Sequence, residues 1–267
     1  MIGVELRKLL RRPRTWVSIA LLAALPTIVA VFVSVKGVAP RPGTGPAFLS
    51  AILHNGALFP AAALAIVLPL FLPVAVAVVA GDAIAGEAQS GMLRYLVVRP
   101  VSRTRLLVAK LVATVAYTML AVVVVAVVAY FVGTHLFGSA PLPTVSGTTL
   151  STREATLRTV LAVLYVGWSM LGVAAVALFL STLTDSPLAA ALGAIALLVT
   201  SGVLVTLDAA SSVQPYLPTR YWLAFVDLFR SPVLWRDIVR GTLLQGVYVL
   251  VFLAAAWANL ATKDVKS

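Results

Sequence analysis

Long apolar runs alternate with short polar segments along the whole chain. The runs are each close to twenty residues long, at about 15–35, 58–80, 106–132, 157–180, 188–207 and 242–260. A helix of about 20 apolar residues is long enough to cross the hydrocarbon core of a bilayer. The runs are continuous, whereas the strands of a membrane β-barrel would show short alternating segments. The pattern therefore predicts an all-α polytopic membrane protein with six transmembrane helices in a single domain, residues 1–267.

Proline and aromatic residues modify this six-helix pattern. Pro60, Pro69 and Pro73 lie in or near the second run, so we do not expect a straight helix there. Before the last run, residues 208–241 hold three further prolines among many aromatic side chains, which concentrate at the membrane–water boundary. Residues 219–229 within that segment are too few to cross a bilayer. We therefore expect short re-entrant helices on the outer side before the last span.

The first fourteen residues, MIGVELRKLLRRPR, form a different pattern. At helical spacing their apolar and basic residues separate onto two faces, with Ile2, Leu6, Leu9 and Leu10 on one and Arg7, Lys8, Arg11 and Arg12 on the other. This separation favours an amphipathic helix that lies in the plane of the headgroups. A plain set of anchoring charges is the simpler alternative. A secretory signal is disfavoured, because the next apolar run is longer than a signal core.

Composition supports the membrane class. Of 267 residues, 61% are hydrophobic and only 11% are charged, with a mean hydropathy of +1.04. Soluble domains carry about 25% charged residues. The net charge is +11, and the bases cluster at the ends of apolar runs, which favours anionic lipid headgroups over nucleic acid as the partner. The chain has no cysteine, so disulfides and thiolate metal sites are excluded.

One charged interruption, residues 81–110, separates the second run from the third. It reads GDAIAGEAQSGMLRYLVVRPVSRTRLLVAK, with two acids followed by five bases. Because proline breaks helices, we expect a helix to about residue 98, a turn at Arg99-Pro100 and a new helix from about Ser102. Basic segments beside membrane helices stay on the cytoplasmic side. The loop is therefore predicted to be cytoplasmic, and six spans then place both termini in the cytoplasm, with the protein in the plasma membrane.

Motifs for chemistry on the chain itself are missing. No G-x-x-x-x-G-K-[ST] phosphate loop occurs, so we do not expect this chain to hydrolyse ATP or to act as an enzyme by itself. His54 and His135 lack the spacing of a metal site, and none is expected. No Asp or Glu lies in the middle of an apolar run, which argues against a carrier driven by protons or sodium.

Uncharged polar residues are the remaining candidates for a transport pathway. They are Thr114, Tyr117 and Thr118 in the third run, and Trp168 and Ser169 in the fourth. A pathway lined mainly by apolar side chains would suit a lipid-like or hydrophobic substrate. Ordinary helix packing is the alternative explanation for all five residues.

Several short motifs resemble those of one family. The motifs are Glu87, Gly91-Met92-Leu93-Arg94, Arg99-Pro100-Val101-Ser102-Arg103, Ala109-Lys110, Leu217-Pro218-Thr219-Arg220-Tyr221-Trp222 and Lys263-Asp264. Together with the basic N-terminal helix, they are similar to the membrane subunits of ABC transporters of the type-2, exporter-like class. The similarity extends over the whole length of the chain, although the motifs are loose.

This resemblance implies a permease subunit for export. Such a subunit would form the pathway as a dimer with an identical or homologous chain, and would be driven by a dimer of cytoplasmic ATPase subunits that bind ATP and Mg²⁺. Residues 81–105 would be the segment that docks on the ATPase, through Glu87, Met92, Arg94, Tyr95, Arg99 and Arg103. Glu87, Ser90 and Arg94 would share one face of a helix there. A solvated loop, a secondary transporter and a non-transporting assembly or sensing partner are the alternatives.

Overall fold

The computed structural model describes residues 1–36, 56–91, 102–138, 142–143, 149–150 and 152–262. Eight α-helices lie in these ranges: α1 (Ile2–Arg11), α2 (Pro13–Lys36), α3 (Phe59–Val67), α4 (Phe71–Gln89), α5 (Arg103–Phe137), α6 (Thr152–Leu183), α7 (Pro187–Thr206) and α8 (Trp235–Thr262). Short 3-10 helices precede α3 and α8. One antiparallel pair of two-residue strands, Leu142–Pro143 and Thr149–Leu150, lies between α5 and α6.

Six helices in the described ranges, α2 and α4 to α8, are long and apolar enough to cross a membrane. The predicted all-α polytopic fold is therefore confirmed. Side-chain contacts show which helix ends lie together: Arg103 at the start of α5 reaches the carbonyl of Leu260 near the end of α8, and Asn259 reaches Thr182 near the end of α6. We call this end of the bundle the base. It also holds α1 and the end of α4.

The second apolar run is broken in two. Helix α3 ends at Val67, a turn of three residues follows, and α4 continues to Gln89. Pro69 and Pro73 have no N–H to donate to the carbonyls four residues earlier, which explains the break. The predicted irregularity is therefore present, but a single span at 58–80 is wrong. The helix that reaches the base begins at Phe71 and includes the start of the segment predicted to be a loop.

Helix α3 forms the centre of the bundle. Ala62, Ala63, Leu64 and Val67 are completely buried, and α3 packs mainly against α5. Small residues permit this close packing. Just before α3, a Cβ at Gly56 would collide with the backbone of Gly133 in α5. Large apolar side chains of α2, α7 and α8 remain exposed on the outside, which fits a surface covered by lipid.

Three short 3-10 helices precede α8: Asp208–Ala210, Gln214–Tyr216 and Trp222–Phe229. They agree with the predicted short helices. Trp222, Phe225 and Leu228 are buried, and the last of the three helices packs against α6 and α8. Its aromatic side chains therefore belong to the core of the bundle. Whether this segment re-enters a membrane stays a prediction.

Candidate functional site

A cluster of ion pairs joins three helices at the base. The Glu87 carboxylate on α4 accepts hydrogen bonds from Lys110 of α5 and, at 2.8 Å, from Lys8 of α1. Lys110 also donates to Glu5 of α1 at 2.9 Å. Glu87 is only 5% exposed and Lys110 only 3%. Since an unpaired charge at such a position would be costly, the three helices are held together by complementary charge.

A second part of the cluster joins α4 to the junction between α1 and α2. Asp82 Oδ2 accepts from Arg12 Nη1 at 2.8 Å and from Arg14 Nη2 at 2.5 Å. The whole cluster contains three carboxylates, Glu5, Asp82 and Glu87, and four basic groups, Lys8, Arg12, Arg14 and Lys110. One positive charge is therefore in excess.

Helix α1 is confirmed, but its basic residues do not share one face. Lys8 and Arg12 turn toward the bundle and pair with α4, whereas Arg7 and Arg11 are exposed. Ile2 and Leu10 are also exposed, at 43% and 49%. The helix therefore has three faces: one that forms ion pairs, one that is basic and exposed, and one that is apolar. The apolar and basic faces remain suited to a headgroup layer.

The helix predicted to reach residue 98 ends much earlier. Gln89 is the last residue of α4, and Gly91 has a φ of +70°, a conformation that suits glycine after a helix. The predicted continuation of this helix through Ser90 is therefore wrong, because Ser90 already caps the helix. Met92, Arg94, Tyr95 and Arg99 lie outside the described residues.

The next helix begins as predicted. The Ser102 hydroxyl accepts from the Arg105 backbone N–H at 3.3 Å, which makes Ser102 the N-cap of α5. Arg103, predicted to contact an ATPase, donates to the carbonyls of Leu260 at 2.5 Å and Ala261 at 3.1 Å. Arg103 therefore links the start of α5 to the end of α8.

Three of the five pathway candidates, Thr114, Tyr117 and Thr118, are buried on α5. The hydroxyls of Thr114 and Thr118 donate, at 2.9 Å, to carbonyls four residues earlier in α5. Tyr117 is completely buried, with its hydroxyl 2.8 Å from that of Ser18 on α2. The two threonine bonds lie within α5, and the tyrosine contact joins α5 to α2. Thr114 also lines a small cavity of about 40 Å³ beside the ion-pair cluster.

The other two candidates lie on α6. Trp168 is 37% exposed and donates through its indole N–H to the Thr242 carbonyl of α8 at 3.0 Å, while Ser169 is buried. Trp168 therefore contacts α8, whereas Tyr117 contacts α2.

Sequence reasoning missed a second polar region, around residues 216–230. Four side chains of α6 and α8 donate to backbone carbonyls there: Arg158 to Leu228 and Arg230, Tyr165 to Tyr221, Gln245 to Pro218 and Tyr248 to Tyr216. Irregular backbone within a membrane bundle needs such partners, because lipid supplies none. Gln245, a buried amide in an apolar run, was the available signal.

Together, six span-length helices and a charged cluster at one end define a polytopic helical membrane protein. Residues 27–265 match the family described as "Protein of unknown function (DUF2705)", and the chain belongs to that family. A comparison with curated proteins found no match. The family description assigns no function, so the function has to be argued from the residues.

Proposed function

We propose that this chain is the permease subunit of an ABC transporter of the type-2, exporter-like class. It would pair with a second permease chain and be driven by a separate dimer of cytoplasmic ATPase subunits, which would bind the ATP and Mg²⁺. The observation that carries this proposal is the buried Glu87–Lys110 ion pair. This ion pair joins α4 to α5 close to the two ends of the loop between them, and that loop holds most of the motifs similar to this class.

The ion-pair cluster would let this loop act on the bundle. Because Glu87 and Lys110 lie close to the two ends of the loop, a force applied between Gln89 and Arg103 would reach α4 and α5 together. Lys8, Glu5 and Asp82 extend the connection to α1 and α2. In this mechanism Glu87 holds α1, α4 and α5 together and does not itself contact the ATPase, in contrast to the expectation from the sequence. Docking would fall to the residues between the two helices, including Met92, Arg94, Tyr95 and Arg99.

The proposal fixes an orientation. The base faces the cytoplasm, since the loop and α1 are both basic and basic segments stay inside. Both termini are then cytoplasmic, and the protein lies in the plasma membrane.

A secondary carrier is the second candidate, for one specific reason. Asp82 and Glu87 lie inside α4, a helix of span length, and ionisable residues in such helices often serve proton or ion coupling. Their position near the last turns of α4, beside the basic α1, favours a structural role at the membrane surface.

The test is ATP hydrolysis that copurifies with the full-length chain. The tagged chain is purified in mild detergent from membranes of its native host, and ATPase activity sensitive to vanadate is measured in the eluate. Arg94→Glu should lower this activity at least about tenfold, because charge reversal at a docked contact costs a few kcal/mol. The matched control is Arg236→Glu, an exposed arginine at the opposite end of the bundle.

Two outcomes would contradict the proposal. One is the absence of ATPase activity with the unaltered chain. The other is equal activity with Arg94→Glu and the unaltered chain, which would remove the loop as a docking site.

A further inference from the structure

A long apolar groove lies on the outside of the bundle between α2 and α4. Its volume is about 510 Å³, and it is lined by Leu21, Leu25 and Ile28 of α2 and by Phe71, Val74 and Val78 of α4. Leu21, Ile28, Phe71 and Val78 are about half exposed, so the groove is open along its side. One end of the groove adjoins the ion-pair cluster, and Arg14 belongs to both.

Arg14 forms the polar end of this groove. Its guanidinium binds Asp82 at 2.5 Å, yet the side chain is 56% exposed. Asp82 also binds Arg12, so two guanidinium groups share one carboxylate. Positive charge therefore remains uncompensated where the apolar walls end, and Arg14 has donors left for an anion.

The length of the groove matches one leaflet of a bilayer. Arg14 and Ile28 are separated by fourteen residues of helix, which is about 21 Å. Half of a hydrocarbon core is about 15 Å, and the headgroup layer adds several ångströms. Trp16 supports the placement of Arg14 at the headgroup layer. It is half exposed, and its indole N–H donates to the Leu10 carbonyl at 2.8 Å. Tryptophans of this kind concentrate at the headgroups.

We propose that the groove binds an anionic phospholipid, with the phosphate at Arg14 and an acyl chain along the apolar walls toward Ile28. Charge favours a lipid over a second copy of this chain. A second copy placed here in the same orientation would bring its own exposed Arg7 and Arg11 to the same depth in the membrane as the uncompensated Arg14. The inference does not depend on ATP-driven transport.

The experiment measures lipid preference of the full-length protein. The chain is purified in mild detergent, stripped of lipid, and titrated with phosphatidylglycerol or phosphatidylcholine while bound lipid is counted by native mass spectrometry. Phosphatidylglycerol should bind more tightly. One basic residue beside an anionic headgroup corresponds to about fivefold in affinity, so Arg14→Gln should remove about fivefold of the preference. Arg14→Lys should retain most of this preference. Arg105 is an exposed arginine elsewhere at the same end of the bundle, so Arg105→Gln should retain all of it.

A second pair of variants tests the apolar part of the site. Ala24 lines the groove, and Ala24→Phe should fill it and weaken binding of both lipids. Ala20 is exposed on α2 and does not line the groove, so Ala20→Phe should leave binding unchanged.

Three results would overturn the proposal. The first is no preference for phosphatidylglycerol, and the second is a preference that Arg14→Gln does not alter. The third is an Ala24→Phe protein that loses dimerisation but keeps its lipid, which would make the groove an interface between copies.

Discussion

The basic residues at the base of the bundle differ in whether they bind the carboxylates of α4. The sequence identified α1 and its charges, but it placed Lys8 and Arg12 on the same face as Arg7 and Arg11. These four residues have different angular positions on a helix. Lys8 and Arg12 turn toward the bundle because Glu87 and Asp82 of α4 lie there. That choice depends on a partner distant in sequence. For the same reason Glu87 was predicted to contact an ATPase, although its side chain is buried among lysines of α1 and α5.

Burial predicts unequal roles for the two lysines that bind Glu87. The Lys110 side chain is 3% exposed and that of Lys8 30% exposed. Lys110→Met should therefore lower the free energy of unfolding by about 3 kcal/mol, because it removes the most deeply buried cation that binds Glu5 and Glu87. Lys8→Met should cost about 1 kcal/mol or less. Unfolding of the purified proteins in detergent, followed by tryptophan fluorescence, measures both.

A double variant separates charge from packing. Glu87→Gln combined with Lys110→Met removes the buried charge of both partners, so it should be more stable than Lys110→Met alone. If Lys8→Met were the more destabilising of the two single variants, the assignment of Lys110 as the central cation would be wrong.

At the scale of elements, the sequence predicted the helices better than their ends. Pro60 lies in the first turn of α3, where proline is tolerated, whereas Pro69 interrupts the run, and periodicity does not distinguish these positions. The end of α4 was predictable, since Ser90-Gly91 is a common helix stop. The contacts of residues 216–230 were not, because they join carbonyls, which have no sequence signature, to side chains of distant helices.

These carbonyl contacts predict that Tyr165 holds the segment before α8. Its hydroxyl donates to the Tyr221 carbonyl at 2.6 Å. Tyr165→Phe would leave this carbonyl without that partner, at a cost of about 1–3 kcal/mol. We expect cleavage within residues 216–230 by a soluble protease to become faster, with mass spectrometry locating the cut.

Tyr130→Phe provides the matched control, because Tyr130 is 44% exposed on α5. It should leave the cleavage rate unchanged. Equal protection of the Tyr165→Phe and unaltered proteins would show that the hydroxyl is not what holds this segment.

At the scale of the molecule, apolar run length predicted the number of membrane-length helices, although the second of them begins at Phe71 and not near residue 58. Run length does not reveal how helices pack, so the central position of α3 was not predicted. The structure nevertheless adds one constraint on topology. It places Ser90 at the base, next to the end of α4, and Ser212 in the segment after α7, at the opposite end.

This separation predicts opposite accessibility for two introduced cysteines. Ser90 and Ser212 are both exposed, and the native chain has no cysteine, so each single variant carries one thiol. In intact cells an impermeant maleimide should label Ser212→Cys and should label Ser90→Cys only after the membrane is opened, since the basic loop is expected inside. A permeant maleimide confirms that both thiols react. Labelling of Ser90→Cys in intact cells, with Ser212→Cys protected, would reverse the orientation and remove the site proposed for a cytoplasmic ATPase.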